Sequence, residues 1–449
     1  MELVIRVLLC FVYGFNVLAQ NSKPLKLTPL IQSNQTDEAL QKSRVNFEEF
    51  GSDESYSGYF TTSSKRDSNM FFWFFPSRSN VSNDPLILCL QGGPGVSSLF
   101  TVFMENGPVS IDDKGKISKR DYSWINYASV LYIDNPVDTG FSFTSPGTAS
   151  MNSDDVTNHL FKALLQFFQM FPHMKTNNLY IFGESYGGTY APRLGRKIQH
   201  AKLKGTHKMN LRGMIIGNGL TDARFQVGSG DFLYQIGLVD KFTKADIDNL
   251  EQKRAKCVVN KNFECVRNAY NDILVTFHLA SGYTNLYNFL FPTSSTAPTE
   301  VALDTYLNRQ DVRDALHVGS QITYQTYNSH AMGNITDSFK PAWFHMEKLL
   351  QDSYDVLVFH GQLDLTIPYN TVVNYINRLI FPGKTDYDNA RKRPWKVGEK
   401  IAGVVRTGGS LTEVVVINAG HYTIRDQPQH IYELVKKFIN KLPLTDRIN

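Results

Sequence analysis

The chain has 449 residues, 42% of them hydrophobic, 20% charged and 12% aromatic, with a formal net charge of +4. That is ordinary globular composition, with length enough for one large domain carrying an insertion. With so small a net charge, no dense Lys/Arg run and no acidic tail, neither nucleic acid nor a charged membrane surface is implied as a partner.

Residues 1–19 read as a signal peptide. Arg6 precedes the apolar run 7–12, and Val17-Leu18-Ala19 offers a small-residue cleavage site. The run is too short and too interrupted to span a bilayer, and no later stretch is longer, so no stable membrane association is expected. Three Asn-x-Ser/Thr sequons, at Asn34, Asn80 and Asn334, fit a secretory route, to the outside or to the lysosome. Residues 20–45 are polar and without period, and read as a leader wrapped over the surface. Short apolar runs follow at 70–75, 86–90, 129–133, 179–182, 214–216, 356–359 and 414–417. Helical patterns fall between some of them, as at 155–170 and after Gly188. Strands alternating with helices predict an α/β fold, a mostly parallel central sheet with helices on both faces. Residues 222–340 break the alternation and read as a polar, mainly helical insertion. The layout is then 20–221 for the first part of the main domain, 222–340 for a cap, and 341–449 for the second part. Of the four cysteines, Cys10 lies in the signal, Cys257 and Cys265 share one polar stretch and could pair, and Cys89 sits in an apolar strand as a buried thiol.

Residues 179–188 read strand, then Gly183-Glu184-Ser185-Tyr186-Gly187, then helix. A sharp turn there lifts the serine hydroxyl to the strand's end, and a Cβ at either flanking glycine would collide across it. By chance alone the Gly-x-Ser-x-Gly pattern arises roughly 0.15 times in a chain this long, so the strand-turn-helix setting carries the weight. A nucleophilic serine needs a base, and the base needs an orienting carboxylate, in the order Ser, Asp, His for this turn. Two later strands end suitably, one running into Asp364 and one into His421. His360, which precedes Gly361 closer to its strand's end, has no third group to serve it and reads as structural. The glycine loop Gln91-Gly92-Gly93-Pro94-Gly95 follows an early strand. The backbone N–H groups of Gly93 and Tyr186 are the candidate oxyanion donors.

These segments resemble the serine carboxypeptidase family from about Phe47 to the C-terminus. The likeness lies in Gln91-Gly92-Gly93-Pro94-Gly95-Val96-Ser97-Ser98, Glu105-Asn106-Gly107-Pro108, Tyr132-Ile133-Asp134-Asn135-Pro136, Gly140-Phe141-Ser142, Gly217-Asn218-Gly219, residues 311–318 and the Ser185, Asp364 and His421 segments. Gln91 before the glycines, and the spacing through 311–318, are most similar to the vitellogenic-like branch. The resemblance implies the α/β-hydrolase fold with a helical cap, no metal and no organic cofactor. It implies a Ser185–Asp364–His421 triad acting through an acyl-enzyme, with peptide or protein C-termini as substrate. It further implies that Glu105 and Glu184, with Gln91 and Gly92, receive the substrate's terminal carboxylate. Two adjacent carboxyls do not both ionise easily, so one keeps a proton to donate, and acid-side activity is expected. Four features depart from the family: Tyr422-Thr423-Ile424-Arg425 after the histidine, Asp138, Val96 and the shortage of disulfide cysteines. The first two bear on substrate preference and rate, the others on stability. Two other classes share part of the pattern. A non-catalytic secreted binding or storage protein is opposed by the intact Ser/Asp/His set. A serine esterase or acyltransferase is opposed by the Glu105/Glu184 pair, which a substrate without a free carboxylate does not need.

Overall fold

A strand that is apolar at every position is covered on both faces, and the runs at 70–75 and 86–90 are of that kind. In the computed structural model, which describes residues 22–149, 151–293 and 297–445, all seven apolar runs are strands. The full set is β1 (Tyr56–Ser63), β2 (Ser68–Phe75), β3 (Leu86–Leu90), β4 (Val109–Ile111), β5 (Ile117–Lys119), β6 (Ser129–Ile133), β7 (Leu179–Glu184), β8 (Leu211–Gly217), β9 (Asp355–Gly361), β10 (Arg393–Val397), β11 (Lys400–Gly408) and β12 (Leu411–Val416). Ten form one sheet in the order β1-β2-β6-β3-β7-β8-β9-β12-β11-β10, while β4 and β5 make a separate hairpin. From β6 through β12 the central neighbours pair in parallel. The outer pairs are antiparallel.

The sheet divides two apolar cores, and alternate residues of one strand serve each. Phe72 and Phe74 face the helices Ser153–Met170, Gly187–Leu203 and Trp343–Gln351, while Phe71, Trp73 and Phe75 face the side covered by Pro428–Ile439. Asn152 starts the helix Ser153–Met170 with a reciprocal capping box through Asp155. Because β3, β7, β8, β9 and β12 run in parallel, their carboxyl ends fall on one edge. The loops that follow them carry Gln91, Ser185, Asn218, Asp364 and His421.

Three expectations need adjustment. The leader at 20–45 is not a loose wrap: it forms the helices Thr28–Gln32 and Thr36–Ser43 and buries Leu27, Ile31 and Ala39 in the core. The Leu27 amide donates to the Tyr59 carbonyl at 2.9 Å, which adds the segment to the edge at β1. Two helices of five and eight residues are too short to show a period. Five strands were not foreseen. Of these, β10 is an edge strand and β11 its neighbour, and both carry Lys and Arg, which hides a strand from an apolar scan and, in β10, blunts the edge. Third, no strand of the sheet falls between β8 and β9, but the insertion is not one separate body. The helices Lys241–Val259 and Phe263–Ser281 help to enclose a small apolar cluster around Ile247, Ile273 and Phe277, whereas Leu303, Leu307, Val312 and Leu316 belong to the main core. The segment 1–19 read as a signal peptide, with Cys10 and the expected cleavage site, lies outside the described residues.

Candidate active site

The turn after β7 has the form its glycines require. Ser185 has φ 55°, in the left-handed region, which a non-glycine residue adopts only when its surroundings hold it there. Its amide donates to the Gly217 carbonyl at 3.0 Å, and its carbonyl accepts from Gly188 and Leu220 at 3.0 and 2.8 Å. A Cβ on Gly183 would meet the Gly187 carbonyl oxygen at 2.2 Å, and one on Gly187 would meet that of Leu90 at 2.6 Å. The serine opens the helix Gly187–Leu203 and lines a cavity of about 350 Å³ together with His421, Gln91, Gly93, Tyr287 and Tyr422.

His421 and Asp364 meet under that cavity. The His421 Nδ1 lies 2.8 Å from Asp364 Oδ2, and both side chains are buried. The Asp364 carboxylate is saturated with donors: Asn218 Nδ2 at 2.7 Å on Oδ2, and the amides of Thr366 and Ile367 at 2.8 and 3.1 Å on Oδ1. Such a carboxylate is held in one orientation. Thr423 donates to Asn218 Oδ1 and to the Gly420 carbonyl, so the loop after β12 is tied to the loop after β8. The His421 amide donates to the Tyr287 carbonyl at 2.6 Å, and Asp426 Oδ2 accepts from Gly420 N and Asn288 Nδ2. His360 is fully buried with neither ring nitrogen partnered, and burial pushes it down to about 4. It is a neutral core residue, as its sequence position suggested.

Two backbone amides, of Gly93 and Tyr186, have no protein acceptor among the described residues. The loops are close: a Cβ on Gly92 would stand 2.6 Å from the Tyr186 nitrogen. The Gly92 amide itself is taken at 2.8 Å by Gln91 Oε1. Asp134 fixes this loop from behind. Its carboxyl accepts from Ser97 Oγ at 2.6 Å and from the amides of Ser98 and Phe141, and burial raises it to about 6.

Glu105 and Glu184 are both fully buried neighbours, and one oxygen of each, Oε1, has no hydrogen-bond partner. Glu105 stands on a widened helical turn, Val102–Asn106, of the i→i+5 kind found often at functional sites. Burial raises both carboxyls. Glu184 is pushed well up, by burial and then by the charge of Glu105, while Arg120 and Thr101 restrain Glu105. Both shifts oppose ionising the two carboxyls together. The pair lies one layer below the cavity wall, and Gln91 links it to the cavity: the Gln91 Nε2 donates to Glu184 Oε2 at 2.7 Å and reaches Thr101 and Glu105 at 3.2 and 3.4 Å.

The sequence profile of the family described as serine carboxypeptidase matches residues 46–441. The chain belongs to the serine carboxypeptidase family. The venom serine carboxypeptidase of Apis mellifera is 36% identical over 424 residues, across 92% of this chain and 90% of that protein. The vitellogenic carboxypeptidase of Aedes aegypti is 35% identical over 432 residues, across 94% and 91%. The fold matches that of Kex1(delta)p, a prohormone-processing carboxypeptidase from Saccharomyces cerevisiae, with TM-score 0.78 at 22% identity, covering 91% of this chain and 98% of that one. The protein is an α/β-hydrolase-fold serine carboxypeptidase.

In this carboxypeptidase the departures from the family pattern are absorbed without disturbing the histidine. The Tyr422 ring packs 5.0 Å from Phe100 and 4.8 Å from Tyr287 and walls the cavity. Asp138 takes φ 67°, and its carboxylate accepts from the Thr144 amide at 3.1 Å. Asn34 and Asn80 are exposed, and Asn334 is half-buried at the end of the short helix Ala331–Asn334. Cys257 and Cys265 form a disulfide, with Cα atoms 5.8 Å apart, and Cys89 is a buried free thiol. Sequence reasoning had no role for Asn218, Thr423, Tyr287 or Arg120. Asn218 alone carried a signal, its place at the carboxyl end of β8. Tyr287 and Arg120 reach the site from loops, and Thr423 from the start of the short helix Thr423–Asp426, by approaches that no local pattern encodes.

Proposed function

We propose that the enzyme releases C-terminal amino acids through Ser185, His421 and Asp364. The Ser185 hydroxyl attacks the scissile carbonyl carbon while His421 takes its proton. The oxyanion is stabilised by the amides of Gly93 and Tyr186. Collapse expels the C-terminal amino acid, whose amine takes the proton from His421, and leaves an acyl-enzyme on Ser185. Water then attacks with His421 again as base, and release of the shortened peptide restores Ser185. Asp364 receives the Nδ1–H and so leaves Nε2 free to exchange protons.

The observation that carries exo-specificity is the buried Glu105/Glu184 pair joined to the cavity by Gln91. We assign the substrate carboxylate to this group, where Gln91 and the shared proton donate to it, with Gly92 shaping the loop. Binding is then strong in acid and weakens as the pair loses its proton, because two carboxylates repel a third. Residues 222–340 act as the cap over the cavity. The route is secretory, to the outside or to a lysosome, with cleavage after Ala19 and glycans on Asn34, Asn80 and Asn334.

The test is a blocked peptide and its C-terminal amide at about pH 5, where a carboxylate clamp favours the free acid. Release of the last residue from the acid alone is the expected result. Equal cleavage of the amide would overturn the clamp and favour an esterase-like reading.

A further inference from the structure

The helices Ser153–Met170, Gly187–Leu203 and Trp343–Gln351 border a second cavity, of about 390 Å³, within the size range of small-ligand sites. It shares no lining residue with the cavity that holds Ser185. Arg193, Arg196, Lys197 and His200 line it from one helix, and their spacing sets them on one face. His345 lines it from the helix Trp343–Gln351, and Asp154 is the single carboxyl among its lining residues.

Like charges at this spacing repel unless an anion neutralises them. The protein's own anions do so incompletely. Arg193 comes no closer than 4.0 Å to Asp154, and Arg196 no closer than 4.0 Å to Asp352. Lys197 forms no ion pair among the described residues. Asp154 is mostly exposed and is divided between Arg193 and Lys340. Arg193 is only 4% exposed. Its Nη2 donates to the carbonyls of Lys340 and Pro341 at 2.9 and 3.1 Å, while its Nε is buried with no partner. The Nε2 of His345 is likewise buried and unpartnered. Burial, and then the charges of Arg193, Arg196 and Lys340, push that imidazole down to about 3, which marks the cavity as a concentration of positive potential. Buried donors are normally satisfied, and a guanidinium fork matches the oxygens of a tetrahedral oxyanion.

We propose that this cavity is a binding site for a tetrahedral oxyanion, phosphate or sulfate, free or as the head of a small ester. Arg193, Arg196 and Lys197 hold the oxygens, His345 adds a neutral donor, and the remaining volume takes the body of an ester. Asp154 opposes the ligand and sets an upper limit on its affinity.

The whole chain is titrated with inorganic phosphate, inorganic sulfate, phenyl phosphate and phenyl sulfate at about pH 7. Each is compared with sodium chloride at equal ionic strength, by calorimetry and by melting temperature, which rises when a ligand binds the folded state. A rise with the oxyanions beyond that with chloride is the expected result. Tighter binding of the phenyl esters assigns the group to an ester, equal binding assigns it to the free ion, and both support the site. Arg196→Gln combined with Lys197→Gln is expected to weaken binding about tenfold. Arg193 is left in place because it also holds the carbonyls of Lys340 and Pro341. Asp154→Asn is expected to tighten binding about threefold, a gain that damage to the fold does not produce. No rise beyond chloride, an unchanged affinity in the double variant, or weaker binding in Asp154→Asn overturns the proposal.

Discussion

The edge where the parallel strands end and the insertion above it are built on different terms. At the edge, Ser185, Asp364 and His421 sit on loops clamped by hydrogen bonds, with Asp364 and His421 buried and the Asp364 oxygens filled by four donors. The insertion supplies Tyr270, Leu274, Tyr287, Glu300, Tyr327 and Met332 to the cavity, and several of its apolar residues stand in solvent, Leu279 and Phe242 among them. The sheet edge is over-determined, as a reacting constellation must be. The insertion exposes more of its apolar side chains and lines much of the cavity. We assign the chemistry to the first and selectivity to the second.

The largest expected effects break the first region. Removing Ser185 or His421 costs on the order of 10⁶ in kcat if the set works as a unit. Asp364→Asn, which keeps shape but allows the wrong imidazole tautomer, costs about 10⁴. Retained turnover in either case refutes the assignment.

Next comes the carboxyl pair. Its shared proton is lost as pH rises, because burial and mutual charge lift the second ionisation. KM for a free-acid peptide is therefore expected to climb with pH in the wild type and to climb less in Glu184→Gln, whose amide cannot ionise. Initial rates from about pH 4 to pH 8 check this. A flat wild-type KM contradicts it.

Beneath the site, His360 is held neutral with its pKa near 4. Unfolding restores the ordinary value, so the unfolded chain takes up a proton first, and stability falls as pH drops below about 6.5. At about pH 5 this amounts to roughly 2 kcal/mol. His360→Phe, which also removes two unpartnered ring nitrogens, is expected to narrow the difference in Tm between about pH 7 and pH 5. An unchanged difference means that His360 is not the group responsible. Smallest for catalysis is the Cys257–Cys265 disulfide, which ties two helices of the insertion. Cys257→Ser with Cys265→Ser should cost about 2–3 kcal/mol of local stability. It should alter the ranking of substrates more than kcat for the best of them. A large fall in kcat would erase the distinction between the regions.

The same distinction explains what the sequence made legible. Strands buried on both faces read as continuous apolar runs, and the residues after their ends read as catalytic candidates. The serine turn, Asp364 and His421 were therefore legible as candidates in the sequence. The edge strand β10 and its neighbour β11 escaped because charge interrupts them. The helices at Thr28–Gln32 and Thr36–Ser43 escaped because they are too short to show a period. Asn218, Arg120 and Thr423 act across the fold, through contacts of residues far apart in sequence.

The central claim, that the reaction is carried by one serine at the end of β7, is tested most directly with a fluorophosphonate label. The enzyme is titrated with the label, and the adduct is mapped by peptide mass analysis. One adduct per chain on the peptide holding Ser185, with peptidase activity lost in step with labelling, is the predicted result. Full labelling elsewhere, or full peptidase activity in chains labelled at Ser185, would contradict it.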